Sequence, residues 1–160
     1  MTNYPLRSII LNFALGHLDA EQVEQSLMGI FENYPLQSFY STMNLLGNHD
    51  VPRLLTVLQD GLPQGISREE KERLKFKRLQ LVTLWQLTFP GVPCIYYGDE
   101  TGLEGGKDPS NRGTYPWGRE DKDLLNWYRT LIALRNHYDV LRSGWWKTVC
   151  ASGSVYAYTR

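Results

Sequence analysis

The chain has 160 residues, of which 42% are hydrophobic, and it balances 17 Lys and Arg residues against 17 Asp and Glu residues. This size and composition allow one packed domain that buries roughly two-thirds of its unfolded surface, which excludes a largely disordered chain. A net charge of zero provides no electrostatic attraction to nucleic acid or to an anionic membrane surface. We therefore expect neither a nucleic-acid partner nor a membrane partner. Cys94 and Cys150 are too few for a disulfide framework and lack the spacing of a metal site, so we expect two reduced, buried thiols.

Two helices are predicted in the first part of the chain. The segment Asn3-Tyr4-Pro5 indicates a strand end or turn that leads into a helix over about residues 6–15, which Gly16 ends. Asp19 is a suitable N-cap for a second amphipathic helix that runs to about Asn33. Neither helix is apolar all round, so each is expected to cover a core on one side only.

The middle of the chain predicts a strand, a long helix and a second strand. Residues 42–46 form an apolar strand, and residues 93–97 form another. The helix between them begins at Ser67, which has the spacing of a capping box with Glu70, and it stops at Phe89-Pro90-Gly91. Because the second strand is continuously hydrophobic and follows a helix, both of its faces are expected to be buried, which is typical of a parallel sheet.

The end of the chain changes in character. Residues 101–117 are polar, rich in glycine and irregular, and a loop of this length is usually functional or disordered. A helix is predicted over residues 121–138. Residues 144–149 and 154–158 then predict a β-hairpin, so the style changes from α/β to antiparallel β and a second domain is expected to begin there.

Both predicted strands end in glycine followed by polar residues. Gly47-Asn48-His49-Asp50 follows the first strand, with Arg53 three residues further on, and Gly98-Asp99-Glu100 follows the second. The carboxyl ends of parallel strands in β/α enzymes hold side chains rigidly in a cleft, so we expect both segments on one active face. A carboxylate, an imidazole, an amide and a guanidinium together form a dense hydrogen-bonding patch that suits a polyhydroxylated ligand.

A purely structural interpretation fits the segment after the first strand equally well. Asn-His-Asp after glycine is good turn chemistry. Asp50 could also cap a short helix that has Pro52 in its first turn. The motif alone supports the structural and the functional interpretations equally.

Several motifs, spread over essentially the whole chain in a fixed order, match a known family. They are Asn3-Tyr4-Pro5, Met43-Asn44-Leu45-Leu46-Gly47-Asn48-His49-Asp50 with Arg53, Pro90-Gly91-Val92-Pro93-Cys94-Ile95-Tyr96-Tyr97-Gly98-Asp99-Glu100, Gly102-Leu103-Glu104-Gly105-Gly106-Lys107-Asp108-Pro109, Asn111-Arg112 and Tyr115-Pro116-Trp117. The chain thereby resembles the C-terminal part of the catalytic barrel of the α-amylase family, glycoside hydrolase family 13. Within it, the neopullulanase, cyclomaltodextrinase and maltogenic amylase group is most similar.

The resemblance implies an α/β fold and two domains. The first would be the C-terminal part of a (β/α)8 TIM barrel, from the end of strand six to helix eight, over residues 1–141. Residues 43–46 would be strand seven and residues 93–97 strand eight of this barrel. Residues 142–160 would be the start of an antiparallel β-sandwich domain.

The resemblance also implies roles for individual residues. Asp50 matches the third catalytic carboxylate of the family, which binds and distorts the sugar at the cleavage point, and His49 hydrogen-bonds the same ring. Asp108 and Arg112 match positions that grip the next sugar towards the non-reducing end. An α-glucan oligosaccharide, of the maltodextrin, cyclodextrin or pullulan type, is therefore the expected ligand.

The remaining polar residues of the active face divide into two groups. Asn48 and Arg53 complete the polar patch and are expected to bind substrate. Tyr97 either lines the sugar cleft or simply finishes its strand. Asp99 and Glu100 match a loop after strand eight, where a structural role is expected, and no residue of the chain is expected to bind a metal. No cofactor is expected in this segment, although calcium is common elsewhere in the family.

The resemblance also limits what the chain can do. In the family, the nucleophilic aspartate and the acid/base glutamate lie upstream of the position that Asn3 matches. We therefore expect an inactive piece of a retaining hydrolase of α-1,4 glucosidic bonds, with α-1,6 bonds as further candidates. We also expect it to form a homodimer or to associate with an N-terminal part of the barrel, because its sheet edges are unpaired. The alternative is a non-catalytic, amylase-like sugar-binding or transporter-associated protein.

Overall fold

A parallel βαβ unit lies at the centre of the computed structural model, which describes residues 1–160. The helices are α1 (Tyr4–Ala14), α2 (Ala20–Asn33), α3 (Leu36–Ser41), α4 (Leu54–Val57), α5 (Arg68–Thr88), α6 (Lys122–His137) and α7 (Val140–Ser143). The strands are β1 (Met43–Leu45), β2 (Val92–Cys94), β3 (Lys147–Ser152) and β4 (Val155–Thr159). Two 3₁₀ turns, Asp99–Thr101 and Ser110–Arg112, interrupt the long loop before α6. No helix has both the length and the apolar composition that crossing a membrane requires.

The helix boundaries follow the capping signals in the sequence. Asp19 and Gln22 form a capping box at the start of α2, where the Gln22 amide donates to Asp19 Oδ1 at 2.8 Å. Ser67 and Glu70 form another at the start of α5, where the Glu70 amide donates to Ser67 Oγ at 3.1 Å. Each box satisfies backbone N–H groups that the first helical turn leaves without partners. The predicted starts of both helices are confirmed.

The strands pair in parallel as the sequence predicts, but the predicted burial of both faces of the second strand is wrong, because Val92 is 57% exposed and the rest of β2 is only partly buried. β1 and β2 are parallel, with Met43 opposite Val92 and Leu45 opposite Cys94. Thr2 forms a further parallel bridge with Met43, so the first residues of the chain extend this sheet. β3 and β4 form a separate antiparallel hairpin, which confirms the change of style near residue 144.

Buried amide side chains hold the parallel strands in register. Gln86 of α5 donates from Nε2 to the carbonyls of Asn44 and Cys94, at 2.9 Å in both cases, and so links β1 and β2 to each other and to α5. The Asn44 side chain donates to the carbonyl of Pro90 at 2.6 Å. Asn3 donates to Asn44 Oδ1 at 3.0 Å, which ties the chain start to the same network. These bonds fix the ends of the strands where short ladders alone provide few backbone hydrogen bonds.

One hydrophobic core joins the parallel unit to the hairpin. Leu6, Val23, Leu27, Leu79, Val82 and Leu124, from four helices, are all at most 1% exposed. The rings of Phe39, Phe89 and Trp146 lie with centroids 5.5 to 5.9 Å apart, which packs the start of the hairpin against α3 and the end of α5. Aromatic contacts of this geometry add to the stabilisation from burial alone.

The structure differs from the predictions in its short elements. α3 and α7 are not predicted, and α4 only as the short helix of the structural interpretation of Asp50, because helices of four to six residues show too little periodicity to be recognised. Cys94 is partly buried and Cys150 is exposed, so the expected burial of both thiols is wrong. β2 ends at Cys94, whereas the sequence predicts a strand to Tyr97. In the segment after Cys94, the rings of Tyr96 and Tyr97 cover the buried guanidinium of Arg53.

Replacement of the bridging amide should destabilise the sheet. We expect Gln86→Leu to lower the free energy of unfolding by roughly 1–3 kcal/mol, because two buried carbonyls lose their shared donor. Urea titration of the chain measures this change. The exposed Gln25 of α2 provides the matched control, since Gln25→Leu should change stability by no more than about 0.5 kcal/mol. Equal effects of the two substitutions would contradict the role of Gln86.

Candidate active site

A hollow of about 310 Å³ lies at the carboxyl ends of β1 and β2. Asn48, His49 and Asp50 line it from the turn after β1, and Tyr96 lines it from the segment after β2. The side chain of Tyr4 from α1 forms a further part of the wall. The two predicted strand ends therefore contribute to one face, as expected for a parallel β/α arrangement.

His49 and Asp50 form the exposed polar pair of this hollow. His49 Nε2 lies 3.3 Å from Asp50 Oδ1, and the two side chains are 61% and 60% exposed. The backbone of Asp50 is fixed by its amide, which donates to Asn48 Oδ1 at 2.9 Å. Asn48 in turn donates to the hydroxyl of Tyr4. The carboxylate of Asp50 is thus accessible, and its main chain is held by hydrogen bonds within the turn.

The helix-capping interpretation of Asp50 is wrong. The next helix, α4, begins at Leu54, and the residue in its cap position is Arg53. No side chain caps this helix. Asp50 makes no bond to a helix N–H group. Its amide instead closes a turn with Asn48 Oδ1, which agrees with the turn interpretation of this segment, and its exposed carboxylate lies beside His49.

Arg53 lies beneath the hollow and has no exposed surface. Its guanidinium donates to the carbonyl of Tyr97 and lies 3.5 Å from Asp99 Oδ1. The guanidinium carbon is 4.2 Å from the ring centroid of Tyr96 and 4.5 Å from that of Tyr97, distances typical of cation–π contacts. As placed here, Arg53 supports the wall of the hollow and does not reach its interior.

The tyrosine that lines the hollow is Tyr96, not Tyr97. Tyr97 is not among the lining residues, and its hydroxyl donates to the carbonyl of Gly113 at 2.9 Å. Tyr96 lines the hollow, although the sequence analysis assigns it no role. The two rings contact each other, with centroids 4.7 Å apart, and the sequence contains no signal that tells which of them lines the hollow once the strand ends early.

Asp108 and Arg112 meet in the loop after β2. Arg112 Nη2 lies 3.1 Å from Asp108 Oδ2, and the side chains are 47% and 58% exposed. The two residues that the resemblance assigns to the next sugar are therefore in contact with each other, and both side chains are exposed. They lie at the two ends of a short segment that includes the 3₁₀ turn Ser110–Arg112.

Several hydrogen bonds fasten this loop to the chain after β1. Glu104 accepts from Lys75 Nζ at 2.7 Å and from Gln59 Nε2 at 3.0 Å. The Gly105 carbonyl accepts from the Arg53 amide at 2.9 Å. The glycine-rich composition of residues 101–117 gives no hint of these bonds, because their partners lie about 30 to 50 positions away in the sequence.

Asn111 is a buried residue of this loop, and no pattern in the sequence indicates a role for its side chain. It is 0% exposed. Its Nδ2 donates to the carbonyl of His49 at 2.8 Å and to the carbonyl of Val51 at 3.0 Å. Asn111 therefore grips the main chain on both sides of Asp50.

Asp99 is a buried acid behind the hollow. Its residue is 4% exposed, and burial raises the pKa of its carboxyl to about 7, although the Arg53 guanidinium acts in the opposite direction. A Cβ at Gly47 would lie 2.2 Å from Asp99 Oδ2, so only glycine at this position leaves room for the carboxyl. Asp99 does not line the hollow, and its surroundings support the structural role that the sequence analysis expects.

Replacement of Asp99 by Asn should change how stability depends on pH. Its pKa in the folded chain, about 7, is higher than the ordinary value of 3.8, so between these pH values the folded chain retains a proton that the unfolded chain has lost. The contribution of this carboxyl to the free energy of unfolding is full below about pH 4 and is lost as pH rises through about 7. Across this window, Asp99→Asn should gain at most about 4 kcal/mol relative to the unsubstituted chain. Urea unfolding at a series of pH values measures the gain.

The control for this experiment is the exposed Asp60. Asp60→Asn should leave the pH dependence of unfolding parallel to that of the unsubstituted chain. Parallel curves for Asp99→Asn as well would contradict the raised pKa.

A family model described as the alpha amylase catalytic domain matches residues 10–121 of this chain. The amylopullulanase of Thermoanaerobacter thermohydrosulfuricus is 44% identical over 170 residues, a match that covers 99% of this chain and 12% of that protein. A cyclomaltodextrinase of Geobacillus thermopakistaniensis is 40% identical over 145 residues, covering 89% of this chain and 22% of that protein.

Solved structures agree with the sequence matches. A cyclomaltodextrinase structure superposes with a TM-score of 0.80 at 36% identity, over 98% of this chain and 25% of that one. A debranching enzyme of Nostoc punctiforme superposes with a TM-score of 0.83 at 29% identity, over 99% of this chain and 34% of that one. The chain thus spans between an eighth and about a third of the length of these relatives. The family model, which matches most of the chain, shows that the chain belongs to the alpha-amylase family of glycoside hydrolases and has the fold of its TIM-barrel catalytic domain.

Proposed function

We propose that this chain forms the part of an α-glucan hydrolase active site that carries the transition-state-stabilising aspartate, Asp50. One observation carries the proposal: the His49–Asp50 pair opens into a hollow at the carboxyl ends of two parallel strands, with both side chains about 60% exposed. The relatives bear names such as amylopullulanase and cyclomaltodextrinase, and this supports α-glucans of the maltodextrin, cyclodextrin or pullulan type as substrates.

The chemistry of the pair suits this role. A retaining glycosidase passes through an oxocarbenium-like transition state, and hydrogen bonds to sugar hydroxyls that strengthen there lower the barrier. An ionised Asp50 accepts such bonds from hydroxyl groups, and a charge-assisted bond is stronger than a neutral one. His49, at 3.3 Å from the carboxylate, is placed to contact the same sugar ring.

The surrounding residues divide between binding and support. Asp108 and Arg112 form an exposed pair that offers an acceptor and donors to the next sugar. Asn48 orients the turn through the Asp50 amide. We assign Arg53 and Tyr97 to the support of the hollow, because one is fully buried and the other bonds the loop through its hydroxyl.

We infer that the parallel unit is the last part of a (β/α)8 barrel, with β1 as strand seven and β2 as strand eight. The Thr2–Met43 bridge supports the assignment of the first residues to the end of strand six. On this assignment the barrel occupies residues 1–141, and the hairpin from residue 142 onward starts the antiparallel β-sandwich domain. The antiparallel pairing of β3 and β4 supports that boundary.

The hydrolytic reaction needs two further carboxylates, a nucleophile and an acid/base. On the family pattern, both belong to a part of the barrel that precedes the position of Asn3. We therefore infer that the 160 residues alone do not turn over substrate, and that they require no cofactor for their own contribution. Activity must be tested with a complete barrel.

Asp50→Asn should abolish most of the activity of a hybrid enzyme. In this hybrid, the chain replaces the matching segment of the amylopullulanase of Thermoanaerobacter thermohydrosulfuricus. Loss of one transition-state contact costs on the order of 3–4 kcal/mol, so kcat on maltodextrin should fall roughly 100- to 1000-fold. Steady-state kinetics measures the fall, and the melting temperature checks that the fold is kept.

Asp60→Asn, which removes an exposed carboxylate outside the hollow, is the control for the hybrid and should leave kcat unchanged. Undiminished turnover by Asp50→Asn would refute the assignment of Asp50. A folded but inactive hybrid without substitutions would instead favour a non-catalytic, sugar-binding role for this chain.

The edge of the parallel sheet should make the chain self-associate. β2 pairs with β1 on one side only, and the Val92 side chain on it is 57% exposed. An unpaired strand edge is a template for pairing with another chain. We expect concentration-dependent association in sedimentation velocity, and Val92→Lys should weaken it. Leu36→Lys on α3, at a residue 40% exposed, is the control and should not. A single monomeric species at all concentrations would contradict this expectation.

A further inference from the structure

We propose that Asn111 is a positioning residue that couples sugar binding at Asp108 and Arg112 to the orientation of Asp50. The proposal rests on the proposed function, since it concerns the same active site. It adds a physical link between the two groups of substrate-binding residues, which lie more than fifty residues apart in the sequence.

The geometry of Asn111 is that of a clamp. Its Nδ2 donates to the carbonyls of His49 and Val51, at 2.8 Å and 3.0 Å, and these are the residues on either side of Asp50. The side chain is fully buried, so no water competes for these bonds. An amide nitrogen carries two N–H donors in one plane, and both are used here, which fixes the side chain relative to two peptide groups.

The clamp and the sugar-binding pair belong to one short segment of the loop. Asn111 and Arg112 are neighbours in the 3₁₀ turn Ser110–Arg112. Arg112 reaches back to Asp108 at 3.1 Å, across the start of this turn. A sugar held by the exposed pair therefore acts on the same few residues that carry the clamp. A displacement of the turn is transmitted through Asn111 to the main chain of Asp50.

The other attachments of the loop involve different partners. The Tyr97 hydroxyl bonds the Gly113 carbonyl, just after the turn, and the rest lie at the opposite end of the loop. Glu104 bonds Lys75 and Gln59, and Gly105 bonds the Thr56 hydroxyl at 2.9 Å and the Arg53 amide at 2.9 Å. None of these bonds involves residues 48–51. Within the loop, Asn111 makes the bonds to the two peptide groups that flank Asp50.

The functional consequence follows from how enzymes use binding energy. Contacts to a part of the substrate that does not react can serve to orient groups at the reacting centre. A catalytic group displaced by about 1 Å can cost about 100-fold in rate. In this site, binding of the outer sugar at Asp108 and Arg112 holds the turn in place, and Asn111 converts this into a fixed position for Asp50.

A double-mutant cycle in the hybrid enzyme tests the coupling. We expect Asn111→Ala to lower kcat on maltohexaose about 100-fold. Asp108→Ala should lower kcat and raise KM when Asn111 is present. When Asn111 is replaced, Asp108→Ala should raise KM alone, because the outer sugar no longer acts on Asp50.

The outcomes separate this inference from the proposed function. Non-additive effects on kcat support the coupling, and additive effects overturn it even where Asp50→Asn still abolishes activity. Gln59→Ala removes a bond at the other end of the loop and should leave kcat and KM unchanged. If Asn111→Ala melts below the assay temperature, Asn111→Ser, whose single hydroxyl donor cannot hold both carbonyls, replaces it in the cycle.

Hydrogen exchange on the 160-residue chain gives a second test that needs no activity. The Asp50 amide, which bonds Asn48 Oδ1, should exchange faster in Asn111→Ala than in the unsubstituted chain. Gln59→Ala should not change this rate. Equal exchange at Asp50 in all three proteins would overturn the clamp.

Discussion

The buried guanidinium of Arg53 is the interaction on which the site depends, because it joins the two strand ends. Its side chain bonds the Tyr97 carbonyl, lies against the rings of Tyr96 and Tyr97, and faces Asp99. Its main-chain amide bonds Gly105 in the long loop. The turn after β1, the segment after β2 and the loop that follows are thus held by one residue.

Such a group is not a source of stability by itself. Desolvation of a buried ion pair offsets most of its attraction, and here Nε and Nη2 of Arg53 also lack hydrogen-bond partners. The benefit is geometric: the guanidinium is planar and directional, so the groups around it have one arrangement. The exposed face of the site can then remain polar and hydrated, while the layer behind it is fixed. The role that we propose for Asp50, the binding of a distorted sugar ring, needs this division.

The sequence predicts the regular parts of this architecture well, and physical reasons explain where it stops. The capping boxes at Asp19 and Ser67 depend on neighbours three residues apart, so they can be recognised locally. The parallel pairing follows from the apolar run after a long helix. In the site, the motif around His49 and Asp50 is visible because a strand ends there abruptly. The likeness to the α-amylase family made the link to residues 108–112, which no local pattern could make.

The parts that could not be predicted depend on contacts distant in the sequence. The burial of Arg53 and Asn111 is decided by residues more than forty positions away, and both resemble ordinary polar loop residues in the sequence. The early end of β2 has the same origin, since it places Tyr96 on the hollow and Tyr97 on the loop. Gln86 lies on the buried side of α5 among apolar residues, and its purpose becomes clear only when the two strand carbonyls are beside it.

The requirement for glycine at position 47 has a consequence for protein engineering. Because the space that a methyl group would fill is taken by the Asp99 carboxyl, the turn and the acid behind it form one unit. A designer who transplants the Asn48-His49-Asp50 turn onto another scaffold must therefore also transfer Asp99, the acid that packs against Gly47. Otherwise the graft will contain a void where this protein has an oxygen atom.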